Sequence, residues 1–260
     1  MIEVAGATVL VTGASSGIGA ALASALAERG ATVGLVARRA DRLAEVLERC
    51  QVHAPGSRMW VGDLGDLRWA EQVAAEAWDA FGHVDVLVNN AAIPKVRAVT
   101  SLAPVDVETT MAVNFFSPVR MTLVLLPRLL ARGRGAIVNV ASMGGRVGII
   151  HEAAYAASKF ALTGWSESLF IDLHGTGVDV RLIQPGPIDT EIWDRPGEER
   201  AVYDGPLEPP AVVAEGIIAA LGSDRFEHFL PDLKWVLDAK NADIDAFLVG
   251  SAQMGKRGDP

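Results

Sequence analysis

Short runs of aliphatic and β-branched residues alternate with longer, alanine-rich stretches from the start of the chain to about residue 230. Strand patterns fall at 7–12, 31–36, 58–61, 84–89, 136–140, 178–183 and 226–230. Helical patterns fall at 18–29, 41–50, 67–81, 105–130, 153–173 and 211–221. Strands that read as nearly continuous apolar runs are those buried on both faces of a sheet. The alternation therefore predicts a doubly wound α/β fold: a parallel sheet of about seven strands, right-handed crossovers, and helices on both faces. A length of 260 residues with 50% hydrophobic content supplies the core for one such unit, and no repeat or linker divides it, so residues 1–260 are expected to form a single domain.

Two regions break the rhythm. Residues 189–210, "DTEIWDRPGEERAVYDGPLEPP", are rich in Pro, Gly and charge with Ile192, Trp193 and Tyr203 interspersed. A connection that long in a compact domain is expected to act as a lid over substrate. Residues 231–260 form a tail in which Trp235, Val236, Ile244, Phe247 and Leu248 suggest a terminal helical element.

A formal charge of -9 and a pI near 5.1 argue against a nucleic acid or an anionic membrane as partner. One cysteine, Cys50, leaves no internal disulfide. Neither it nor the five histidines show metal-ligand spacing, so no metal site is expected. The first residues lack the pattern of a signal peptide. The apolar stretch "MTLVLLPRLLARG" is interrupted by Pro127 and Arg128 and reads as a buried helix. A cytoplasmic protein without an integral membrane segment is the expectation.

The first strand runs into "TGASSGIG", which puts Gly13, Ser15, Ser16, Gly17, Ile18 and Gly19 at a strand-to-helix turn. In a doubly wound fold a dinucleotide pyrophosphate meets backbone N–H groups and a helix N-terminus there. Further along, Tyr155 and Lys159 stand four apart in "AAYAASKFALTG". On a helix they share one face. A tyrosine loses its proton only near ~10, so it serves as an acid/base at neutral pH when a fixed positive charge stabilises its phenolate. Lys159 is placed to supply that charge, and Ser142 to hold a substrate oxygen.

These features together resemble the short-chain dehydrogenase/reductase family. Its patterns read here as Thr12 to Gly19, "NNAA" at Asn89 to Ala92, Ser142 thirteen residues before Tyr155, and Pro185-Gly186 followed by Thr190, all in the family's order. The likeness covers roughly residues 5 to 190, and Ala92 replaces the more usual glycine. It implies a Rossmann-type sheet and hydride transfer between a nicotinamide and a ketone or secondary alcohol. Tyr155 would be the general acid or base, Ser142 would bind the substrate oxygen, and Lys159 would lower the phenol pKa and bind the nicotinamide ribose. Asn114 would position a water connecting Lys159 to solvent. Asn89 and Asn90 would tie the central strand to the cofactor face by side-chain-to-backbone bonds, with Asn90 and Ala91 at the cofactor. Asp63 and Leu64 match the adenine-contacting position, although Asp63 and Asp66 both suit the cap of the next helix. Pro185, Gly186, Ile188 and Thr190 would wrap the nicotinamide.

Dinucleotide folds that prefer NAD place an acidic residue at the end of the second strand. This chain has Ala37 followed by Arg38 and Arg39, whose forked donors suit a 2′-phosphate, so NADP(H) is expected over NAD(H). The residues beside the catalytic set are mostly apolar. Met143, Ile149, His151 and Trp193 are candidate substrate contacts, pointing to a small-molecule substrate of apolar character, as for a carbonyl reductase. Rival readings are a catalytically idle NADP(H)-binding sensor or interaction protein, which would usually lack members of the catalytic set, and a nucleotide-sugar epimerase or dehydratase, whose glycine turn is spaced differently. The resemblance also implies a homo-oligomer. A dimer through the helices bearing Asn114 and Tyr155 is preferred to a tetramer, with Phe115, Phe116, Leu123, Leu162, Trp165 and Leu169 as its apolar surface and the tail covering the tetramer's second interface.

Overall fold

The computed structural model describes residues 2–193, 199, 201–203 and 205–255. Its strands are β1 (Thr8–Thr12), β2 (Thr32–Ala37), β3 (Arg58–Val61), β4 (Val86–Asn89), β5 (Gly135–Val140), β6 (Val178–Pro185) and β7 (Glu227–Leu230). They form one sheet of order β3-β2-β1-β4-β5-β6-β7 in which every pair is parallel. The order reverses between β1 and β4, and in open α/β sheets ligands bind at the carboxyl ends of the strands at such a switch point.

The connecting helices are α1 (Gly17–Glu28), α2 (Ala40–His53), α3 (Leu67–Phe81), α4 (Pro104–Met111), α5 (Ser117–Arg132), α6 (Ala153–Leu173) and α7 (Pro210–Leu221). Leu22, Leu26, Val213 and Ile217 of α1 and α7 pack on one face of the sheet. Val73, Leu125, Leu129 and Leu169 of α3, α5 and α6 pack on the other. Strands β1, β4 and β5 are buried along their whole length, the outcome expected of a central strand covered on both faces.

The expected elements are present, with differences that have local causes. The fourth strand starts at Val86 rather than Val84, and Asp85 instead takes the Thr8 amide at 2.9 Å and the Arg132 guanidinium at 3.0 Å. The helix expected over 105–130 is divided by a π-helical turn, Ala112–Phe116, on which Asn114 sits. Pro104–Arg132 is long and apolar enough to cross a membrane by length and composition, but its α5 part packs against α3 and carries core residues on its inner face.

One expectation about a surface changes. Leu162 and Leu169 point into the core, so they do not belong to an outer apolar face; Phe116 and Leu123 remain exposed. The tail forms two helices, α8 (Lys234–Ala242) and α9 (Ile244–Gly255), and folds toward the carboxyl ends of the strands. Lys240 fastens α8 there: its ammonium donates to the Arg146 carbonyl at 2.6 Å and lies 5.0 Å from the Phe160 ring centroid.

Of the segment expected to be a lid, residues 194–198, 200 and 204 lie outside the described residues. Its two ends are joined: the Asp189 amide donates to Glu208 and the Glu208 amide to Pro187, at 2.8 and 3.0 Å. Trp193 donates through Nε1 to Ile188 at 2.6 Å and stacks on Tyr203.

Candidate active site

A cavity of about 1700 Å³ opens over the carboxyl ends of β1, β2, β4, β5 and β6. One end begins at the turn after β1. Gly13 has φ +67, and a Cβ there would lie 2.8 Å from the Ala91 Cα, so the turn and the β4 loop approach as only glycine permits. Thr12 holds that loop in place. Its hydroxyl accepts from the amides of Asn90 and Ala91, both at 2.9 Å, and Asn90 Nδ2 donates to the Thr12 carbonyl at 2.9 Å. Gly19 does not line the cavity. A Cβ there would sit 2.4 Å from the Gly13 carbonyl oxygen, so this glycine lets α1 approach the turn.

Asn89 does something different from what was expected. It bonds side chain to side chain, donating to Asn139 at 2.8 Å and Thr122 at 3.3 Å, and Asn139 donates to Ser166 at 2.8 Å. That buried polar chain joins β4, β5, α5 and α6.

Ser16 precedes α1 in extended conformation and places no side-chain acceptor on the helix's first amides. Those amides, the dipole of α1 and the glycine turn form an anion cradle. Arg39 reaches it, donating to Ser16 Oγ at 2.7 Å and Ser15 Oγ at 3.3 Å. Arg38 turns the other way and lies 3.7 Å from Asp63, while Asp66 caps α3 by accepting from the amides of Arg68 and Trp69. Asp63 is thereby left beside Leu64 on the cavity wall. These backbone amides fit the pyrophosphate of a nicotinamide dinucleotide, and the guanidinium groups stand at the end of β2.

At the other end the catalytic candidates converge. Ser142 follows β5, and its hydroxyl accepts from the Gly144 amide at 3.0 Å. Tyr155 and Lys159 stand one turn apart on α6, the ammonium 5.7 Å from the phenol ring centroid and donating to the Val140 carbonyl at 2.9 Å. Asn114 stands behind them rather than on the cavity wall. Its side chain accepts from the Ile93 amide at 2.8 Å and donates to the Ile93 carbonyl at 2.9 Å and to Ser158 Oγ at 3.0 Å.

Burial dominates the protonation of this group. It pushes the Tyr155 phenol well above its ordinary value, against a hydrogen bond from Ser142 that favours the phenolate, with the Glu152 charge pushing further up. It brings the Lys159 ammonium down to about 7. The expected lowering of the phenol pKa is therefore not what the protein alone produces, because desolvating both groups disfavours both of their charged forms.

Pro185, Gly186, Ile188 and Thr190 line the space between the two ends, and Met143, Ile149 and Trp193 line the substrate side. His151 does not. It has φ 60, its carbonyl accepts from the Arg97 amide at 2.6 Å, and its ring lies 3.6 Å from Glu199.

Four contributions were not read from the sequence. Arg42, one turn after Arg39, and Glu191, beside Thr190, stand at the phosphate end. Glu152 lines the cavity one turn before Tyr155, and burial raises its carboxyl to about 7. Trp235, Val236 and Phe247 of the tail also line the cavity. The i, i+3 spacings of Arg42 and Glu152 were available signals; no local pattern marks where a tail will pack.

With this geometry, the comparisons with known proteins give a consistent assignment. The pattern of the short chain dehydrogenase family matches residues 7–201. A ketoacyl reductase, HetN, of Nostoc sp. is 32% identical over 230 residues, covering 87% of this chain and 79% of the relative. A Burkholderia phymatum short chain dehydrogenase/reductase in complex with NAD superimposes with a TM-score of 0.86 at 26% identity, covering 95% of this chain and 96% of that one. A Burkholderia cenocepacia short chain dehydrogenase in complex with NADP gives 0.82 at 27% identity, covering 96% and 99%. The chain belongs to the short-chain dehydrogenase/reductase family, with its Rossmann-type sheet. It is an oxidoreductase acting on CH–OH or C=O groups with a nicotinamide dinucleotide.

Proposed function

We propose that the protein is an NADP(H)-dependent reductase of apolar ketones, working as a homodimer. The observation that carries this reading is the convergence of Ser142, Tyr155 and Lys159 at one end of a cavity whose other end holds Arg39 on an anion cradle, with Arg38 on the wall beside it. When bound, the nicotinamide supplies the hydride.

The chain's own residues do the rest. Ser142 holds the substrate oxygen and stabilises charge developing on it. Tyr155 delivers a proton to that oxygen, from a buried phenol that is protonated at neutral pH. Lys159, with its ammonium brought down to about 7, is suited to pass a proton toward the phenol once it is spent. Asn114 binds the Ile93 backbone and Ser158 and so fixes α6 against the loop after β4, from where it would position a water in the relay. Trp193, Val236 and Phe247 add apolar wall to the cavity.

Cofactor binding followed by substrate screening tests the reading. NADPH should bind more tightly than NADH, and NADPH oxidation should appear with members of a panel of ketones, aldehydes, steroids and acyl thioesters. Tighter NADH binding would refute the cofactor preference. Silence across the panel with intact NADPH binding would refute the reductase reading.

A further inference from the structure

At the phosphate end of the cavity the guanidinium groups already hold an anion of the protein's own. Arg39 Nη1 lies 2.6 Å from one carboxylate oxygen of Glu191, and Arg42 pairs with the other. The same Arg39 donates its second nitrogen to Ser16 and Ser15. The carboxylate is thus held by one nitrogen from each of two guanidinium groups at the mouth of the glycine turn, where the end of β2 presents its positive charge. The two arginines hold the Glu191 carboxyl below the usual range, so it is an anion at neutral pH. All these residues line the one cavity.

We propose that Glu191 is an internal occupant of the 2′-phosphate subsite, that Arg42 is a second guanidinium of that subsite, and that Glu191 sets how strongly the enzyme discriminates between NADP(H) and NAD(H). The proposal rests on the NADP(H) reading above. A 2′-phosphate carries more charge than a carboxylate and presents three acceptor oxygens, so it takes the two guanidinium groups in exchange for Glu191. NADH carries a hydroxyl there, has nothing to exchange, and leaves the clamp closed. Glu191 therefore subtracts from NADP(H) affinity alone.

Glu191 also adjoins residues on the rest of the cavity wall. Glu191 is followed directly by Ile192 and Trp193, which line the cavity, and Thr190 before it touches the glycine turn: a Cβ on Gly17 would meet Thr190 Cγ2 at 2.9 Å.

Titration of the full chain with NADPH and with NADH, in the wild type and in Glu191→Gln, Arg42→Ala and Arg39→Ala, tests this. Both ion pairs are half exposed, so removing the carboxylate should tighten NADPH about threefold to tenfold. NADH affinity should stay within about twofold, and Arg42→Ala should weaken NADPH about tenfold. An unchanged NADPH affinity in Glu191→Gln, with Arg39→Ala still weakening NADPH, would overturn the role of Glu191 while leaving the cofactor reading intact. Equal tightening of both cofactors would overturn it as well, by showing that the carboxylate does not sense the phosphate. If the wild type prefers NADH and neither arginine affects NADPH, the cofactor reading itself falls and this inference falls with it.

Discussion

Replacing Glu152 with glutamine should stabilise the protein, and the gain should grow with pH. Glu152 lines the active cavity, and burial, with no hydrogen bond or counter-charge among the described residues to offset it, shifts its carboxyl. Burial holds its pKa at about 7 against an ordinary 4.5. Below 4.5 the group is neutral in both folded and unfolded chains and costs nothing. As pH rises from 4.5 toward 7 the unfolded chain ionises first, so stability from this group is lost progressively until the folded carboxyl also ionises. At 1.36 kcal/mol per tenfold change in proton affinity the full loss is about 3 kcal/mol. Glutamine is nearly isosteric and does not ionise. Urea unfolding of wild type and Glu152→Gln should show a gain of about 1 kcal/mol at pH 5.5 and about 3 kcal/mol at pH 8.5. An equal difference at the two pH values would refute the claim that the buried carboxylate is uncompensated.

Gly19→Ala should destabilise the fold by about 1–3 kcal/mol in the same assay and weaken dinucleotide binding, since a methyl 2.4 Å from the Gly13 carbonyl forces α1 off the turn. Lys159→Ala should lower turnover at least about a hundredfold and also loosen cofactor binding in a fluorescence titration; unchanged turnover would remove it from the proton relay. Sedimentation at micromolar concentration should show two chains per particle, and Leu123→Asp, on the exposed face of α5, should yield folded monomer; a monomeric wild type would refute the dimer.

The sheet and its helices were legible because buried parallel strands and amphipathic helices leave periodic signatures that survive in a single chain. The glycine turn and the Tyr155–Lys159 pair were legible because their chemistry is local, confined to one turn or one helical face. What escaped depends on tertiary packing. Leu162 and Leu169 read as surplus surface because a helix with apolar residues on several sides does not declare which side faces the sheet. Asn89 was paired with backbone because the facing Asn139 lies 50 residues away and only the strand register brings them together. The partners of Arg39 and Arg42 were invisible for the same reason, Glu191 being about 150 residues downstream. The protonation of Tyr155 turned on how deeply α6 is buried, a property of the assembled molecule that no i, i+4 spacing reports.

Proton transfer by Tyr155 is the central claim, and Tyr155→Phe tests it most directly. The ring is buried and would keep its packing, while the group that exchanges a proton with substrate is removed. NADPH-dependent turnover of the best ketone in the panel should fall at least about a hundredfold, with NADPH affinity within about twofold of wild type. Retention of more than about a tenth of the activity, against the 10²–10⁴-fold expected of a general acid, would contradict the account.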